Sequence, residues 1–87
     1  MSDLHTLEII DQEITGAATG TISGAQSVSF RMTAGTATIL TNQTLDAAGV
    51  SVINFDALEN GEPLPDIAYS VDAASTMLIV GYRYNEV

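Results

Sequence analysis

Eleven acidic residues against two arginines and no lysine give this 87-residue chain a formal charge of −9, which repels phosphate backbones and anionic lipid and so excludes nucleic acid and membrane surfaces as expected partners. Without cysteine or lysine there is no disulfide framework, thiolate metal cluster, catalytic thiol or Schiff-base chemistry. A single domain of this size buries only about 60% of its unfolded surface, so reinforcement by association with other chains is expected.

Residues 1–15 interleave Asp3, Glu8, Asp11 and Glu13 with Leu4, Leu7, Ile9, Ile10 and Ile14. Leu7, Ile10 and Ile14 share a helical spacing, but Ile9 breaks that face, and Ile and Thr favour extended backbone. The segment reads as an extended arm or strand. Residues 15–27 are almost all small, with Gly16, Gly20 and Gly24 permitting bends, and read as a hinge or hairpin in which Thr21, Ile22 and Ser23 can add a short strand. The expected organisation is an arm and hinge over 1–18 and a β body over 19–87.

Val28, Phe30 and Met32 alternate with Ser27, Ser29, Arg31 and Thr33, the pattern of a half-buried strand. Ala34 and Gly35 read as a turn, with residues 36–41 as the hairpin partner of that strand. Asn42 and Gln43 turn the chain and residues 45–49 form a corner. The apolar phase then slips between Val52 and Ile53, as at a β-bulge. Asn60, Gly61, Pro63 and Pro65 make residues 56–66 a loop. Ile67, Tyr69 and Val71 alternate again. Residues 76–84 close the domain as a strand apolar on both sides, with Met77 and Ile79 toward a core and Leu78, Val80, Tyr82 and Tyr84 toward a second layer or a neighbouring subunit. Six or seven short strands with regular turn signals predict an all-β fold, a small antiparallel sandwich or jelly-roll-like barrel with an extended N-terminal arm.

Candidates for chemistry are few. A serine nucleophile needs a base within hydrogen-bond reach, and the lone His5 sits close to the first residue of the sequence. Asp56 and Glu59 could in principle pair as glycosidase carboxylates, but so small a domain hardly encloses a sugar-sized cleft. Asp56, Glu59, Asn60, Glu62 and Asp66 cluster oxygen-bearing side chains around Gly61, yet their spacing is not that of the twelve-residue calcium loop, and a solvated tip is the plainer reading. The expectation is no enzyme, no metal and no cofactor. Tyr69, Tyr82 and Tyr84 could stack on a sugar, with core or subunit packing the commoner explanation. Arg31 and Arg83 should each find an acidic partner, in the same domain or across an interface, with a plain surface arginine the equal alternative for Arg31. No basic region precedes an apolar run and no apolar stretch approaches bilayer length, so synthesis in a cytoplasm is expected.

The order Ser27-Val28-Ser29-Phe30, a short hairpin, Thr44-Leu45 with an Ala-Gly corner, residues 50–55, Asn60-Gly61, Ile67-Ala68-Tyr69 and Leu78-Ile79-Val80 resembles a group of small β proteins encoded among the virion genes of tailed bacteriophages. In those proteins the closing strand often ends in Tyr and Arg, here Tyr82, Arg83 and Tyr84. The resemblance spans roughly residues 20–84 and is a pattern of strands and turns rather than a chemical motif; the longer acidic arm and the prolines at Pro63 and Pro65 depart from it. It implies a structural role in the virion after synthesis in the host cytoplasm: a capsid decoration or cement protein, a head-fibre base or a tail component. It further implies a homotrimer bound to a larger shell protein such as a major capsid protein. The expected interface residues are Leu4, Leu7, Ile9 and Ile10 from the arm, and Leu78, Val80, Tyr82, Arg83 and Tyr84 from the closing strand. The alternative is a small carbohydrate- or receptor-binding module using Tyr69, Tyr82 and the 56–66 loop, with calcium.

Overall fold

The computed structural model describes residues 5–57 and 62–86, with side chains over 7–57 and 62–84; Leu4 of the expected interface and Glu59, Asn60 and Gly61 of the acidic loop lie outside the described residues. Eight strands follow one another: β1 (His5–Thr15), β2 (Ala18–Ile22), β3 (Ser27–Ala34), β4 (Thr36–Ile39), β5 (Gln43–Asp46), β6 (Val52–Asp56), β7 (Ile67–Val71) and β8 (Thr76–Glu86). They form two antiparallel four-stranded sheets, ordered β1-β8-β3-β6 and β2-β7-β4-β5, packed together as a small β-sandwich.

The period of two along each strand decides what lies between the sheets. Val28, Phe30, Met32, Met77 and Ile79 come from one sheet, and Ile22, Ala37, Ile39, Leu45, Ile67 and Val71 from the other, all buried in one cluster. Phe30 is its hub. It meets Phe55 edge-on with centroids 6.0 Å apart, and Tyr69 at 6.2 Å, a geometry that suits the quadrupoles of aromatic rings.

Three features narrow or correct the reading of the sequence. Of the two forms read for the first segment, arm or strand, residues 5–15 take the strand: β1 pairs with β8 along its whole length, from His5 opposite Glu86 to Thr15 opposite Thr76, and Ile10 enters the core. β3 and β4 form no hairpin, because β3 pairs with β6 and β8 while β4 pairs with β5 and β7 in the other sheet. Gly35 makes that crossing at φ +75°, where a Cβ would stand 2.1 Å from the Ser75 hydroxyl oxygen, and that oxygen accepts a 3.0 Å hydrogen bond from the Thr36 amide. Finally, no register shift falls in the β3–β6 pairing at Val52 and Ile53; the irregularity lies on β3, between Met32 and Ala34 against β8.

The sandwich is elongated, 49 × 20 × 17 Å. β3 backs β8 only from Thr76 to Tyr82, whereas β1 follows β8 on to Glu86. Among the described residues, residues 5–8 and 83–86 therefore continue as a two-stranded ribbon past the body.

Candidate functional site

The outward side of the β1-β8-β3-β6 sheet is laid out in rows set by the registers. Across β1, β8, β3 and β6 the rows are Ile9, Tyr82, Ser27 and Asp56; then Asp11, Val80, Ser29 and Asn54; then Glu13, Leu78, Arg31 and Val52. Leu7 and Tyr84 add a further pair on the ribbon. The β3–β6 half is polar apart from Val52 and is internally bonded: the Ser27 hydroxyl donates to an Asp56 carboxylate oxygen at 2.7 Å, and the Ser29 hydroxyl donates to the Asn54 side-chain carbonyl.

The β1–β8 half carries the exposed carboxylates of Asp11 and Glu13 at one end and an apolar patch at the other. Ile9 is 63% exposed, Leu7 53%, Val80 and Tyr84 52% and Tyr82 36%, with Leu78 half-buried at the end of the patch. Tyr82 and Tyr84 meet edge-on, their centroids 5.7 Å apart. Single exposed apolar residues are ordinary on a protein surface, but here five large ones are contiguous across two paired strands.

Two expected interface residues are not on this face. Successive residues of a strand point to opposite sides, so Ile9 and Ile10 cannot serve one surface; Ile10 is 3% exposed in the core, opposite Gly81. Gly81 gives β3 the room to approach, since a Cβ there would lie 2.1 Å from the Ser27 carbonyl oxygen. Arg83 likewise faces away from Tyr82 and Tyr84. It lies across from Glu8, with Nε 3.9 Å from Oε1, an acidic partner that the sequence leaves unnamed because nothing local joins the first strand to the last. Arg31 lies exposed between Leu78 and Val52 and makes no ion pair among the described residues.

The other candidates are scattered. Tyr69 belongs to the second sheet, packs against Phe30 and reaches over Gly20, its cross-strand neighbour, so it shares no platform with Tyr82. Asp56 is engaged by Ser27, and among the described residues no three His, Cys, Asp or Glu side chains gather into a group that could hold a metal ion. The backbone of His5 lies in the ribbon opposite Glu86. Set against known proteins, the chain matches no family model, no curated protein and no solved structure.

Proposed function

We propose that this chain is a non-enzymatic structural protein that acts as part of a particle, with the outward β1–β8 face as its contact surface. The observation that carries the reading is the contiguous patch of Leu7, Ile9, Val80, Tyr82 and Tyr84, each a third to two-thirds exposed. Monomers seldom leave large apolar patches uncovered, and aromatic residues with polar tips are favoured where protein surfaces meet. The setting comes from the strand-and-turn resemblance over residues 20–84: a capsid decoration or cement protein in a virion, bound to a shell protein such as a major capsid protein, or a tail or fibre component of the same particle. The sugar-binding alternative is weakened, because Tyr69 and Tyr82 belong to different sheets and only Tyr82 and Tyr84 adjoin.

The test is mass spectrometry of particles banded on a density gradient from the source of the chain. The chain is expected in fixed proportion to the shell subunit after a salt wash. Val80→Glu and Tyr84→Glu should fold as the parent does, since both side chains are half-exposed, yet be missing from the band. Washed particles that lack the parent chain would remove the virion setting. Binding to a glycan array that Tyr82→Ala abolishes would move the face to the sugar-binding reading.

A further inference from the structure

Four strands end the two sheets: β1 and β6 in one, β2 and β5 in the other. β2, β5 and β6 are only four or five residues long, and shortness is one way an edge is kept from pairing with another chain. β1 is different. It runs eleven residues without proline, shows no register shift against β8, and among the described residues no strand borders its far side. Its first four residues also lie in the ribbon that β3 does not back, and two strands alone are marginally stable in water.

We propose that β1 pairs with β1 of a second copy, antiparallel about a twofold axis at Ile10, so that the two β1-β8-β3-β6 sheets join into one sheet of eight strands. The inference rests on the reading that the chain works within an assembly and names one partner: itself. The charges choose the register. A symmetric antiparallel pairing keeps residues of the same side opposite each other, so its axis must fall on a residue. An axis on Glu8 or on Asp11 sets identical carboxylates face to face, and one on Gln12 sets Asp11 against Glu13; like charges directly opposite are destabilising. An axis on Ile9 avoids this but pairs only residues 5–13 within β1. The axis on Ile10 pairs all of His5–Thr15, with Leu7 opposite Glu13, Glu8 opposite Gln12 and Ile9 opposite Asp11 of the second copy.

The same register supports the ribbon. Residues 5–8 of each copy lie along residues 12–15 of the other, where β1 is backed by β8 and then β3. Each body thus adds strands on the β1 edge of its twin's ribbon, while the β8 side stays open beyond Tyr82. The pairing uses edge backbone groups, so it leaves the apolar face open toward a shell. Both copies carry −9, so salt should strengthen the pair by screening their repulsion, whereas docking on a basic partner would weaken with salt.

Sedimentation velocity of the full chain at rising concentration, in low and in high salt, is expected to give a dimer that tightens with salt. Gln12 is exposed, and Gln12→Lys sets an ammonium opposite Glu8 of the second copy twice per dimer. That should tighten the dimer by about three- to tenfold, and Gln12→Glu should loosen it by a similar factor. Thr44→Lys on β5 makes the same change in net charge away from the β1 edge and should do less. The chain has no cysteine, so disulfide trapping reads the register directly: Ile9→Cys combined with Asp11→Cys should cross-link the dimer, and Ile9→Cys alone should not. A chain that stays monomeric throughout, a trimer as the resemblance implies, equal effects of Gln12→Lys and Thr44→Lys, or cross-linking by Ile9→Cys alone would each overturn the proposal. A dimer in solution whose chain is missing from washed particles would overturn the virion setting and leave the pairing standing.

Discussion

The two sheets share one core and differ in what they turn to solvent. On the β2-β7-β4-β5 sheet the central outward row is Thr19, Ser70, Thr38 and Thr44, one hydroxyl per strand. Beside it Thr36 donates to the Asp72 carboxylate. On the β1-β8-β3-β6 sheet the outward positions of the two longest strands hold Leu7, Ile9, Leu78, Val80, Tyr82 and Tyr84, with Asp11 and Glu13 at one end of β1. Threonine fits a pleated strand without leaving a large apolar side chain in water, and so suits a face meant to stay wet. The hydroxyl face shows that this chain can finish a sheet for solvent. The apolar face is therefore informative about a partner, because the strand geometry alone does not require it.

The largest effect comes from removing what both faces rest on. Phe30 lies fully buried between the sheets, against Phe55 and Tyr69, so Phe30→Ala should cost about 3–5 kcal/mol in urea unfolding and release both faces together. A loss under about 1 kcal/mol would mean that the sheets are not joined through that ring. Gly35→Ala is next. It forces an alanine to φ +75° and drives a Cβ toward Ser75, at the point where the chain crosses from one sheet to the other. A loss of about 2 kcal/mol in thermal unfolding is expected, and an unchanged melting curve would remove Gly35 as the crossing's constraint.

That crossing also marks where the sequence stops being legible. β3 can be read from its own residues, because hydroxyls and Arg31 take one side and Val28, Phe30 and Met32 the other. β8 can be read in the same way, down to which side faces the core. Ala34 and Gly35 show a bend, but a bend closing a hairpin and a bend changing sheets look alike locally. The deciding contact is Ser75, far along the chain. The apparent slip at Val52 has a similar origin: Val50 and Val52 both face solvent, and Val50 precedes the strand, so no bulge is needed on β6. The candidate face was half legible. Its residues stand out as apolar positions on the outward phase, and the period of two already separates Ile9 from Ile10, but only the pairing of the first strand with the last puts Leu7 beside Tyr84.

Exchanging the characters of the two faces should change stability least and bear most directly on the comparison. Ile9→Thr with Val80→Thr gives the apolar face the other's hydroxyls, and Thr38→Val with Thr44→Val does the reverse. Ile9, Val80 and Thr44 are exposed and Thr38 half-buried. Each pair should therefore move the unfolding free energy by only about 0.5 kcal/mol, since surface changes away from caps, turns and core do little. Association should separate them. The first pair is expected to leave washed particles without the chain, because it removes the apolar contact area and keeps the shape. The second is expected to be incorporated like the parent, because it leaves the apolar contact area of the other face unchanged. Equal losses from both pairs would mean that incorporation depends on general surface character, and the contrast between the faces would then carry no information about function.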